Sequence, residues 1–316
     1  MTIKPDASST GNASTPLSRD ALPVEPAGAG GRNDRWPDTN ARHFDAQSHF
    51  DVRSHLGTQY GDRSETVALV IPAKNEAANI SWVLDQVPTR VNEIILVDGN
   101  STDATLVTAQ YCRPDIRIVT QTGSGKGDAL RSGFEATAAD IIVMIDADCS
   151  MSPQEIPHFL HFLANGYDFV KGSRFIAGGG SRDITRLRRL GNRTLVSLVN
   201  ALYDVQLTDL CYGFCAFHRR YLPFLDLTSS GFEVETQLIL SALTRGLRVA
   251  EVPSMEMPRR HGRSNLRTFP DGTRVLRAIL RGHRRGISGH AVQALRALVH
   301  GTARVKSQPG PSVRSA

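Results

Sequence analysis

The chain has 316 residues, 40% hydrophobic and 22% charged, enough for one large domain or two small ones with a proper core, and it is neither fibrous nor wholly disordered in composition. A formal net charge of +6 favours anionic partners, and nucleic acid, membrane surfaces and phosphorylated metabolites all qualify. Cys112, Cys149, Cys211 and Cys215 give one CxxxC spacing with no second pair, which argues for reduced thiols and against a structural zinc site.

Residues 1–64 are rich in Ser, Thr, Gly, Pro, Asp, Asn and Arg, lack sustained hydrophobic periodicity, and read as a disordered leader. They carry no basic segment followed by an apolar one, so no secretory signal is expected, and a cytoplasmic location follows. Val67 to Ile71 is a β-rich run stopped by Pro72, followed by helical spacing from Glu76 to Val87. Glu93 to Val97 predicts a second strand ending at Asp98-Gly99, Thr102 to Tyr111 a helix, and Ile116 to Val119 a third strand. A glycine-rich Gly123-Ser124-Gly125-Lys126-Gly127 opens a helix to Thr137, and Ile141 to Ile145 predicts a fourth strand ending at Asp146. Gly231-Phe232-Glu233-Val234-Glu235 begins a further helix running to about Arg245. Strands alternating with helices predict βαβ units, and near-continuous apolar runs suit strands covered on both faces. The fold class is therefore α/β, with a mostly parallel sheet sandwiched by helices in a single domain over 65–285. Residues 286–316 read as a basic helix and disordered tail. No apolar run reaches the ~18–20 residues of a membrane span.

Polar clusters close three of these strands: PAKNE, DGNSTD and DADCS. Ligands in open α/β sheets bind outside the carboxyl ends of the strands, so Asn75, Glu76, Asp98, Asp146 and Asp148 are expected to converge in one crevice. Carboxylates one residue apart at a strand end repel each other, and a hard divalent cation, Mg²⁺ or Mn²⁺, resolves that repulsion with oxygen ligands. Asp146 and Asp148 are the candidate metal ligands. The Gly-Lys-Gly loop lacks GxxxxGK[ST], which excludes a P-loop.

Val70-Ile71-Pro72-Ala73-Lys74-Asn75-Glu76, Val97-Asp98-Gly99-Asn100-Ser101-Thr102-Asp103, Gly125-Lys126-Gly127 and Asp146-Ala147-Asp148, in this order and spacing, resemble family 2 glycosyltransferases of the Rossmann-like GT-A fold. The resemblance extends from about Thr66 to Arg285. Gly172-Ser173-Arg174-Phe175, Thr208-Asp209 before Gly213-Phe214, and Arg259-Arg260-His261-Gly262-Arg263-Ser264 are most similar to dolichyl- or polyprenyl-phosphate sugar synthases. The resemblance implies that Pro72, Ala73, Asn75 and Glu76 line a nucleoside pocket, that Asp98 bonds the base and that Asp103 braces its loop. Lys126 would lie near a UDP- or GDP-hexose donor, Asp146, Ala147 and Asp148 at its diphosphate, and Arg174, Arg259 and Ser264 on phosphate. Asp209 is the candidate base or sugar-orienting residue, needed only if the acceptor is an alcohol, because a phosphate monoester is already anionic at neutral pH. Glu233 and Glu235 suit either a helix start or a position near the sugar.

From Arg259 to Arg285, nine arginines face Asp271 alone, with Val275, Leu276, Ile279 and Leu280 at helical spacing between them. This pattern fits either an anionic membrane surface, as for a peripheral enzyme at the inner membrane face, or a basic helix packed on the domain. Asn265 stands where lipid-phosphate synthases often have lysine. A soluble acceptor is the alternative to polyprenyl phosphate, and a nucleotidyltransferase would require a glycine- and arginine-rich loop that PAKNEAAN does not supply. Aromatics do not interleave with the basic stretches, so nucleic acid is not an expected partner.

Overall fold

The computed structural model describes residues 65–262 and 267–284, which fall within one compact unit. The predicted leader, the 286–316 tail and Ser264 lie outside the described residues.

The apolar run after Thr66 forms β1 (Val67–Ala73), and helix α1 (Ile80–Asp85) leads to β2 (Glu93–Asp98). Helix α2 (Thr105–Cys112) leads to β3 (Arg117–Thr120), and α3 (Lys126–Ala136) crosses back to β4 (Ile141–Met144). Next come α4 (Ile156–Ala164), β5 (Phe169–Ser173), β6 (Gly180–Ser181) and the long α5 (Arg186–Tyr203). Then follow β7 (Cys215–His218), α6 (Glu233–Thr244), β8 (Val249–Pro253), β9 (Met255–Glu256) and α7 over 268–284.

A seven-stranded sheet runs β3-β2-β1-β4-β7-β5-β8. Only β7 is antiparallel to its neighbours, β4 and β5. β1 pairs in parallel with β2 on one side and β4 on the other, so the strand order reverses at β1/β4 and leaves a crevice at their carboxyl ends. Alternate residues of β1 feed two cores: Val70 packs with α3, α5 and α6, while Val67, Leu69 and Ile71 pack with α1, α2 and α4. Both faces are buried, as the unbroken apolar strands require.

α7 is the predicted basic helix. Its Val275 and Ile279 are buried against the domain while Leu276 and Leu280 are exposed, so its apolar side chains divide between core and surface. Among the described residues no helix is long and apolar enough to cross a membrane. All four cysteines are free.

Candidate active site

After β4 the chain turns through Asp146-Ala147-Asp148, with Cys149 in the left-handed region at φ 67°. The Ser150 N–H (3.0 Å) and hydroxyl (2.6 Å) donate to Asp148 Oδ1 and hold that carboxylate. Arg259 Nη2 lies 3.0 Å from Asp148 Oδ2, and its Nη1 donates to Glu76 Oε1 at 2.7 Å. One guanidinium thereby ties the end of β1 to the end of β4. Asn79 Nδ2 donates to the other Glu76 oxygen at 2.6 Å and to the His261 carbonyl at 3.1 Å, which fastens the Arg259 segment to the start of α1.

Lys126 pairs with Asp146 Oδ1 and, at 2.5 Å, with Glu235 Oε1. Burial acts to lower the lysine's pKa, but Asp146 and Glu235 together hold it above the ordinary value. Burial pushes the Asp146 carboxyl up to about 6 against the pull of Lys126. The glycines beside Lys126 are set by close backbone approach: a Cβ at Gly127 would come 2.0 Å from the Ser229 carbonyl oxygen, and Gly127 N–H donates to Ser230 O at 2.8 Å.

Arg174, just past β5, forms the second pole. Its Nε donates to Asp209 Oδ2 at 2.7 Å, its Nη2 to Asp209 Oδ1 at 3.0 Å and its Nη1 to Glu256 Oε1 at 2.9 Å. Asp209 is fully buried. Burial alone would raise its pKa, but Lys171 and Arg174 hold it below the ordinary value. Behind it, Glu251 accepts from Thr208 N–H (2.7 Å), Thr208 hydroxyl (2.8 Å) and Asp209 N–H (3.0 Å).

Glu235 and Glu256, with the ion pairs around Lys126, Arg174 and Arg259, border a cleft of about 840 Å³. Of the predicted residues, Pro72, Ala73, Glu76, Lys126, Asp146, Ala147, Asp148, Arg174 and Arg259 line it. Four others do not. Asn75 adopts φ 57° and turns to the neighbouring loop, where its Oδ1 accepts from Thr102 N–H at 2.8 Å, so Lys74 faces the cleft instead. Asp98 is buried and accepts from Ser101 N–H at 3.1 Å, leaving Gly99 and Asn100 on the surface of the cleft. Asp103 accepts from Ala77 N–H at 3.1 Å and from Thr105, in keeping with a bracing role. Asp209 lies behind Arg174. Sequence reasoning missed Asn79, Glu251 and Glu256; the signal for the last two was a carboxylate set inside an apolar strand run, VAEVP and SMEM.

Among the described residues no three His, Cys, Asp or Glu side chains converge on a metal position. Asp146 and Asp148 nevertheless face the cleft as an oxygen pair, and Mg²⁺ sites commonly use one or two carboxylates completed by water and substrate phosphate. The donor set fits a hard divalent cation.

A strand-order switch point, an acidic pair after β4 and an antiparallel strand inside an otherwise parallel sheet describe an α/β transferase of the GT-A architecture. Residues 68–224 match Glycosyl transferase family 2. Glycosyltransferase AglJ of Haloferax volcanii is 33% identical over 66% of this chain and 69% of its own. Polyprenol monophosphomannose synthase of Mycolicibacterium smegmatis is 27% identical over 73% and 91%. For some curated relatives the chain spans only 54% or 59% of their length. Glucosyl-3-phosphoglycerate synthase from Mycobacterium tuberculosis, crystallised with Mn²⁺, UDP-glucose and phosphoglyceric acid, superposes with a TM-score of 0.58 at 27% identity, covering 70% of this chain and 80% of that one. The chain belongs to glycosyl transferase family 2.

Proposed function

We propose that the enzyme transfers a hexosyl group, with inversion and with a divalent metal, from a UDP- or GDP-sugar to polyprenyl phosphate. The observation that carries this reading is the convergence of the β1 and β4 ends on one cleft, with Glu76, Asp146, Asp148 and Glu235 set against Lys126 and Arg259. Pro72, Ala73 and Glu76 would receive the nucleoside. Asp146 and Asp148 would hold Mg²⁺ or Mn²⁺, which when bound neutralises charge on the donor diphosphate. Lys126, Arg174 and Arg259 offer the cations that stabilise the departing diphosphate.

In the transfer, an acceptor oxygen forms a bond to the anomeric carbon from the face opposite the nucleotide. The bond from that carbon to the diphosphate oxygen breaks, and its electron pair leaves with the nucleoside diphosphate. An acceptor phosphate is already anionic at neutral pH and requires no proton removal. This agrees with an Asp209 whose two oxygens are engaged by Arg174 and which acts by positioning that guanidinium. The enzyme would act on the cytoplasmic side, peripherally at the inner membrane face. A soluble phosphorylated acceptor is the second reading, supported by the likeness to glucosyl-3-phosphoglycerate synthase.

The test is product formation from radiolabelled UDP-glucose and GDP-mannose, with Mn²⁺ or EDTA, with and without polyprenyl phosphate. EDTA-sensitive label in the organic phase supports the reading and identifies the donor. Metal-dependent donor hydrolysis with no lipid product overturns the lipid acceptor in favour of a soluble one.

A further inference from the structure

α5 and α7 meet where Tyr203 Oη donates to the Ile279 carbonyl at 3.1 Å. Nearer their N-terminal ends, both helices line the cleft. Arg188, Gly191 and Leu195 of α5 and Thr268, Gly272 and Val275 of α7 form these walls, each set at the spacing of one helix face. A Cβ built at Gly191 or at Gly272 would meet nothing within 4 Å. Neither glycine has a positive φ. Glycine inside a helix is destabilising relative to alanine, and no packing neighbour here requires it. The contrast is with Gly127, where a side chain would strike backbone. Gly191 and Gly272 instead border open space in the cleft.

The adjoining turns carry large apolar side chains in water: Leu187 is 50% exposed, Leu190 63% and Phe269 74%. Exposed Arg186, Arg189 and Arg193 stand among them on α5. Apolar side chains interleaved with arginine match an anionic lipid surface in both hydrophobicity and charge. Leu195 and Val275 continue the apolar character inward, toward Arg174 and the acidic pair on the same cleft.

We propose that the groove between α5 and α7 receives the isoprenoid chain of the acceptor, and that Gly191 and Gly272 are the specificity-determining positions that keep it open. This rests on polyprenyl phosphate being the acceptor. The phosphate head lies toward the acidic pair and its cations, and the chain leaves past Leu187, Leu190 and Phe269 to the bilayer.

The test compares wild type with Gly191→Leu, Gly272→Leu and the milder Gly191→Ala. Readouts are kcat/KM for undecaprenyl phosphate and for geranyl phosphate, nucleotide affinity by calorimetry, and Tm. Both leucine variants should lower the undecaprenyl-to-geranyl ratio of kcat/KM by about tenfold or more, chiefly through KM, on the scale of a few lost methylene contacts. Gly191→Ala should shift it in the same direction by less, and it favours the helix, which guards against a folding artefact. Nucleotide affinity and Tm should not fall. A wild type that makes lipid product while the variants keep its chain-length ratio overturns the groove assignment alone. A wild type that transfers sugar to neither lipid phosphate overturns the acceptor reading and the groove with it.

Discussion

Asp209→Asn tests whether this carboxylate positions Arg174 or removes a proton. The Arg174 side chain is 6% exposed and that of Asp209 0%. Arg174 gives Asp209 three hydrogen bonds: from its backbone N–H at 3.2 Å, from Nε at 2.7 Å and from Nη2 at 3.0 Å. Removing one partner of a buried ion pair costs about 3–5 kcal/mol. Glu256 at 2.9 Å and the Cys211 carbonyl at 3.1 Å still hold the guanidinium, which points to the lower end of that range. For a body of this size a loss of about 3 kcal/mol lowers Tm by roughly 6–12 °C. Loss of a fixed cation at the departing diphosphate should also slow turnover by about 10²–10³-fold. The assay is thermal denaturation beside steady-state kinetics for wild type, Asp209→Asn, Arg174→Gln and the double variant. A positioning role predicts that the double variant is little worse than either single one in both readouts. Unchanged Tm with loss of kcat confined to Asp209→Asn, independent of Arg174, would refute the reasoning and restore Asp209 as a base.

Asp148→Ala should abolish the response to Mn²⁺ and lower turnover by at least about 10²-fold while leaving the fold intact, because its carboxylate faces the cleft and is held there by Ser150 and Arg259 rather than by the core; wild-type-like rates would remove it from the metal assignment. Burial pushes the Glu251 carboxyl from 4.5 up to about 7, so the folded chain takes up a proton that the unfolded chain lacks between these values. Its contribution is therefore full below the unfolded pKa and is lost as pH rises through 7, on the order of 3 kcal/mol. Glu251→Gln, neutral throughout, should flatten the plot of urea midpoint against pH between 5 and 8; parallel plots would show that Glu251 is ionised across this range. At Gly133 on α3, a Cβ would lie 2.4 Å from Val70 Cγ1 and 2.7 Å from Val97 Cγ2. Gly133→Ala should thus cost about 1–3 kcal/mol through overpacking, whereas a raised Tm, the helix-propensity result, would contradict this close helix–sheet contact.

The first half of the fold was legible because β1, β2 and β4 are unbroken apolar runs that end in polar clusters, and the parallel register of β1 with both neighbours then brings those ends together. β7 was not legible. CAFH is short, and its place between β4 and β5 is decided by pairing with strands far away in the chain. The same non-local logic governs Asp209. The sequence offers it as a base or a sugar-orienting residue, but Arg174, 35 positions earlier, engages the carboxylate and allows its complete burial. Asn75 failed for a local reason: a left-handed backbone at this residue exchanges the side chain facing the cleft for that of Lys74. Spacing identifies which loop reaches the site, and the backbone dihedral decides which residue of the loop enters it.

Two stretches of chain build the cleft. Glu76, Lys126, Asp146 and Asp148 sit at the switch point, inside the segment 68–224 that matches the family. Relatives named for polyprenol and for phosphoglycerate products align with the same chain. Arg259, Glu256 and α7 lie beyond residue 224 and also border the cleft. A cleft whose acidic pair lies at the switch point can keep its donor chemistry while the space beside α5 changes. Acceptor choice in this enzyme should therefore respond to substitutions on α5 and α7 that leave nucleotide binding untouched.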